Sequence, residues 1–145
     1  MADAVTSKVI LDSKTHYVIH LTNVSDGTGE SAVVKVDKSA IGVSYDGAEA
    51  NSLDIERIEY SCQGFTYIRL HWDHTTDDTI TVLNGNGNGV LDFMGSPQQF
   101  NGYVQPSGLP DPRTAGETGD ILLTTVGHSA NDTYAITLFC RKAHV

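Results

Sequence analysis

The feature that most limits what this chain can fold into is a two-residue alternation of apolar and polar side chains. It recurs along most of the sequence, and no segment sustains a 3.6-residue apolar period. Tyr17, Ile19 and Leu21 fall on one face of a strand, with His16, Val18 and His20 on the other. Ala32, Val34 and Val36 repeat the pattern. Leu53 and Ile55 share one parity and Ile58 and Tyr60 the other, which predicts a β-bulge near Glu56-Arg57. Ile68, Leu70 and Trp72 follow, then Ile80 and Val82, then Ile121, Leu123 and Thr125, and finally Tyr134, Ile136, Leu138 and Cys140. The pattern predicts an all-β chain of seven or eight antiparallel strands.

Turn chemistry separates the strands. Asn23–Gly29, Asp73–Asp78 and Gly127–Asp132 each read as a hairpin connection. The stretch from Asn84 to Gly119 differs: it opens with NGNGNG, holds all 4 prolines and has one short apolar run, Val90–Met94. Residues 85–119 are therefore expected to form a long excursion over the surface. The gaps hold no crossover helices, which excludes a parallel sheet. Two antiparallel sheets packed face to face would bury the alternating faces, and a jelly-roll-like sandwich suits such short strands better than a closed barrel. The expected organisation is an N-terminal arm, residues 1–14, with little alternation, followed by one β-sandwich domain, residues 15–145. The 145 residues are close to the usual size of a single domain.

Charge narrows the partners. With 9 Lys+Arg against 18 Asp+Glu the net charge is −9, and no basic run interrupts the acidity. Nucleic acid and anionic membrane surfaces would be repelled at long range, which leaves protein, sugar or a metal ion. Val9-Ile10-Leu11 is too short for a secretory apolar region, so a cytosolic origin is expected, with a virion surface as an open destination. Cys62 and Cys140 read as buried free thiols in strands. A disulfide between them would close a long loop and stabilise by ~4–5 kcal/mol, but a cytosolic origin argues against it.

Few residues group in a way that could carry chemistry. In His71-Trp72-Asp73-His74, His71 and Asp73 sit two apart on a strand and share a face about 7 Å apart. With His128 or His144 as a third ligand they would resemble the facial triad of jelly-roll iron oxygenases. The plainer reading is a strand end running into a polar hairpin. His16 and His20 are four apart on a strand, roughly 13 Å, too far to hold one ion together. Asp26–Glu30 and Asn84–Gly89 with Asp92 only faintly suggest calcium loops and read more simply as turns. Tyr45, Phe100 and Tyr103 could form an aromatic platform for a carbohydrate, or pack locally. No nucleophile elbow, phosphate-binding glycine loop or zinc spacing is present. No enzyme activity, cofactor or resident metal is expected.

Three stretches, Tyr17–Ser39, Glu56–Asp78 and Gly119–Lys142, are similar to a family of small virion structural proteins of tailed bacteriophages. They cover about half the chain and contain no catalytic motif. Size, acidity and the expected jelly roll resemble the capsid cement, or decoration, type. The resemblance implies a non-enzymatic protein on the head surface of the virion. It would bind the major capsid protein as a homo-oligomer, dimer or trimer, with contacts in the N-terminal arm and the long loop. The alternatives are a neck or tail-appendage protein, a carbohydrate-binding sandwich, and a small metal-dependent oxygenase using His71 and Asp73.

Overall fold

The computed structural model describes residues 3–43, 47, 52–93, 108–112 and 115–143. Nine strands account for most of them: β1 (Ala4–Asp12), β2 (His16–Asp26), β3 (Val33–Val36), β4 (Ser52–Gln63), β5 (Tyr67–Trp72), β6 (Asp78–Asn84), β7 (Gly87–Asp92), β8 (Ile121–Val126) and β9 (Ala130–Ala143). A single 3-10 turn, Lys38–Ala40, is the one helical element among them. The strands form a five-stranded sheet in the order β1-β2-β9-β4-β7 and a four-stranded sheet in the order β3-β8-β5-β6.

Setting β1 aside explains the order. β2 pairs with β9, β3 with β8, β4 with β7 and β5 with β6, all antiparallel. This is one long antiparallel ladder rolled over on itself. β4 against β9 and β5 against β8 complete the two sheets. Such rolling produces the jelly roll. The sandwich read from the alternation is the observed architecture, with nine strands where seven or eight were expected.

The alternating residues supply the core. Leu21, Leu53, Ile55, Ile58, Ile68, Leu70, Leu123, Ile136 and Leu138 are fully buried between the sheets, and Trp72 is 2% exposed. The predicted bulge in β4 is present, its register against β9 shifting between Ile55 and Arg57. The shift lets Leu53, Ile55 and Ile58 all face inward despite their mixed parity.

Several expectations are corrected. Asp73–Asp78 does close a hairpin, β5 to β6. Asn23–Gly29 instead runs from the end of β2 into the connection to β3, and Gly127–Asp132 from the β8–β9 connection into the start of β9, both of which cross between the sheets. The reason is that a turn back along a neighbouring strand and a corner between sheets use the same residues. Gly127, at φ 73°, takes the positive φ such a corner needs, and a Cβ there would run into Thr66. The start of the expected excursion is ordered strand instead. Gly85 and Asn86 turn the chain from one sheet to the other, and Gly87–Asp92 is strand β7 on β4. Gly85 fits because its backbone lies against Phe65, whose N–H it accepts at 3.1 Å. Ala32, Val34 and Val36 do not share a face. Ala32 has a positive φ of 48°, Val34 is 48% exposed and Val36 is buried. A register shift between Val34 and Val36 breaks the alternation. Within the expected arm, residues 4–12 are strand β1, paired on β2. All nine are exposed, and none belongs to the core cluster.

Candidate functional site

The HWDH segment places its two histidines in different surroundings. Leu70 and Trp72 point into the core, so His71 points from the outer face of its sheet, where it is nonetheless buried. Its Nδ1 lies 3.1 Å from Asp77 Oδ2 and its Nε2 3.0 Å from Thr124 Oγ1. Burial, with the nearby Arg69 charge, holds its pKa below the ordinary value despite Asp77. The ring is then neutral at pH 7 and carries one N–H. A carboxylate only accepts, so Nδ1 donates to Asp77 and Nε2 accepts from the Thr124 hydroxyl. Its one free lone pair is thereby used. Asp73 turns to another partner and accepts from Thr118 Oγ1 at 2.9 Å. His128 follows the far end of β8. His71 lies opposite Leu122, and six residues of extended chain from there span roughly 20 Å. The structure therefore does not bring His71, Asp73 and His128 together, and His144 lies outside the described residues. Among the described residues no group of three or more His, Cys, Asp or Glu side chains could hold a metal ion.

His74 is a clasp. Its side chain is fully buried, with Nδ1 2.8 Å from Asp78 Oδ2 and Nε2 2.6 Å from Asp111 Oδ1. Burial alone would lower its pKa, but the Asp111 and Asp78 carboxylates raise it above the ordinary value. Both nitrogens donate, so the ring is an imidazolium held between two carboxylates. Asp111 lies between β7 and β8, within the stretch expected to run over the surface. The same segment pairs with β4 through Leu109 and Ile55, N···O 2.9 and 2.7 Å, and is stitched to the β5–β6 turn by Thr75 N to Ala115 O at 3.0 Å. The sequence marked this motif for its chemistry, and the structure uses it to tie a loop to a hairpin.

A second buried polar group sits where β2, β3 and β9 meet. Glu30 ion-pairs with Lys35, both side chains nearly inaccessible, and accepts from Tyr134 Oη at 2.6 Å and Asn23 Nδ2 at 2.7 Å. Sequence reasoning missed it because alternation placed Lys35 outward; the β3 register shift turns it in. Glu30 thus faces the interior. Asp26 caps its own turn through Thr28, 3.1 Å to N and 2.7 Å to Oγ1. The two do not converge as calcium ligands. Asn84 likewise caps the corner turn through Asn86 N at 3.0 Å, and Asp92 is exposed at the end of β7.

Cys62 and Cys140 are free and buried. Burial pushes the thiols up to about 11 and about 12, which removes them as nucleophiles at neutral pH. A shallow trough of about 470 Å³ on the outer face of the larger sheet is lined by residues that include Glu59, Ser61, Asn88, Val90 and Thr137. Its ionisable carboxylate, Glu59, is paired with Arg57 at 2.8 Å. Tyr45, Phe100 and Tyr103 lie outside the described residues.

Two sheet edges expose apolar side chains among the described residues. β1 forms one edge of the larger sheet and exposes Val5, Val9, Ile10 and Leu11, each 45–58% accessible. On the smaller sheet the edge strand β3 exposes Val33 and Val34. An exposed edge strand offers unpaired backbone N–H and C=O groups beside these side chains. No family model, curated protein or solved structure matches this chain.

Proposed function

We propose that this chain is a capsid decoration protein of a tailed bacteriophage. It is a non-enzymatic subunit that binds the outer surface of the icosahedral head and bridges neighbouring major capsid subunits. The observation that carries the reading is β1: nine residues outside the core, four of them large and apolar, along an open sheet edge. Clustered exposed apolar side chains mark contact surfaces more often than chance exposure. The three stretches that resemble phage virion proteins supply β2–β3, β4–β5 and β8–β9, the frame that holds β1. A subunit that binds only the assembled shell stabilises it by mass action, and a symmetric shell repeats each weak contact many times.

Sedimentation with expanded heads stripped of their decoration protein tests the proposal. The purified chain should co-sediment and raise the temperature at which the heads break. Ile10→Glu and Leu11→Glu should weaken attachment tenfold or more, about 1.4 kcal/mol. Each should leave the denaturation midpoint within about 0.5 kcal/mol, as for exposed substitutions generally. Val82→Glu, equally exposed on the other sheet, should bind as the unaltered chain does. An unaltered chain that never co-sediments would sink the proposal; normal binding by both β1 variants would move the contact away from β1.

A further inference from the structure

β1 is held in an unusual way for a strand of a folded domain. None of its nine residues is buried, so packing contributes little to its attachment. Two things fix it: the ladder to β2, from Ala4 opposite Val24 to Asp12 opposite Tyr17, and a carboxylate at each end. At the start, Asp3 Oδ1 accepts from Asp26 N and Thr28 Oγ1 at 3.1 Å each and from Gly29 N at 3.3 Å, while Oδ2 accepts from Asn23 Nδ2 at 3.1 Å. At the finish, Asp12 Oδ1 meets Lys142 Nζ at 2.6 Å and Oδ2 accepts from Gly42 N at 2.8 Å. The Lys142 side chain is fully buried. The seat of β1 is therefore a sheet edge with a nest of donors at one end and a buried ammonium at the other, and it requires a strand with a carboxylate at each end.

We propose that β1 is an exchangeable strand, and that in adjoining copies Asp3–Asp12 of one chain occupies the seat on β2 of the next. Charge complementarity selects the occupant, because a second copy carries the same two carboxylates at the same spacing. The connection to β2 is three residues long, Ser13 to Thr15. Opening so short a hinge makes β1 and β2 one continuous strand that reaches a neighbour, and exchange of an identical element is a low-cost route between copies. The exchanged strand makes the same contacts as the returned one. Exchange therefore links copies without new interface between two acidic surfaces. Simple edge-to-edge pairing of two β1 strands is disfavoured, because symmetric pairing about the middle of β1 sets Lys8 against Lys8. The exchange needs only copies of this chain and does not depend on the head-binding reading.

Thr6 and Thr22 lie directly opposite, with their hydroxyls in contact. A disulfide between these positions therefore reports which chain's β1 sits on which β2. Thr6→Cys and Thr22→Cys are made separately, refolded together at high protein concentration and then oxidised, with the native thiols buried again. Exchange predicts a disulfide-linked heterodimer that increases with concentration and disappears when glycines lengthen the hinge after Lys14. The double variant Thr6→Cys/Thr22→Cys, oxidised when dilute, should close within one chain and show that the geometry permits the bond. If the double variant closes but the mixture stays monomeric at every concentration, the proposal is overturned. Symmetric edge-to-edge pairing about Lys8 would instead set Thr6 of one copy opposite Ile10 of the other, so dimers from Thr6→Cys mixed with Ile10→Cys, in the amount the first mixture gives, would mean edge-to-edge pairing and overturn it equally.

Discussion

His71 and His74, three positions apart, show how far burial and partners separate two identical side chains. His71 is held neutral between an acceptor and a donor; His74 is held charged between two acceptors. Their pH effects have opposite sign. The folded pKa of His74 is raised above 6.5, so its stabilisation is complete below that value and lost as pH rises through the folded pKa. The folded pKa of His71 is lowered, so stability falls as pH drops below 6.5 toward it. Proton NMR of the imidazole rings should give His74 a midpoint above 6.5 and His71 one below, and Asp111→Asn should lower the first and leave the second. Equal midpoints would show that the clasp is not formed. The sequence displayed these histidines but not their partners. Asp111 is 37 positions from His74, and only the fold brings it there.

At the scale of the element, what could be read from the sequence was what burial had selected. β2, β4, β5, β8 and β9 each put a face into the core, and their alternation marks them. The β4 bulge could be read because two apolar parities meet at one point. β1 has no buried face and so no pattern to display, and β7 begins Gly-Asn-Gly, with little side chain to alternate. The two loops read as hairpins failed for another reason. Asp-Gly and Gly-His supply the turn geometry, but which strand comes next to which is settled by the rolling of the whole ladder. β5, in the interior of the smaller sheet, gives the energetic check. Trp72→Ala removes a side chain 2% exposed and should cost ~3–5 kcal/mol in a denaturant titration. Val82→Ala on β6, 52% exposed, should cost less than about 0.5. Comparable losses would mean that the two sheets do not enclose the core described.

As a whole, the molecule is a closed frame with one strand outside it. Eight strands roll into two sheets around a single apolar cluster, and a ninth lies along the edge, latched at both ends by carboxylates. The described residues give the frame no metal cluster and no reactive thiol, and the buried networks around His74 and Glu30 hold loops and strands together. A net charge of −9 opposes association of free copies at long range, and a template that sets copies side by side would offset that repulsion. A virion head is such a template. Electron cryomicroscopy of intact virions of the phage that the proposal assigns it to tests that placement most directly. The account predicts two-sheet density for this chain in a regular array on the outer head surface, with β1 at a contact with the shell or a neighbouring copy. Density confined to the neck or tail, or absence of the chain from the virion, would contradict it.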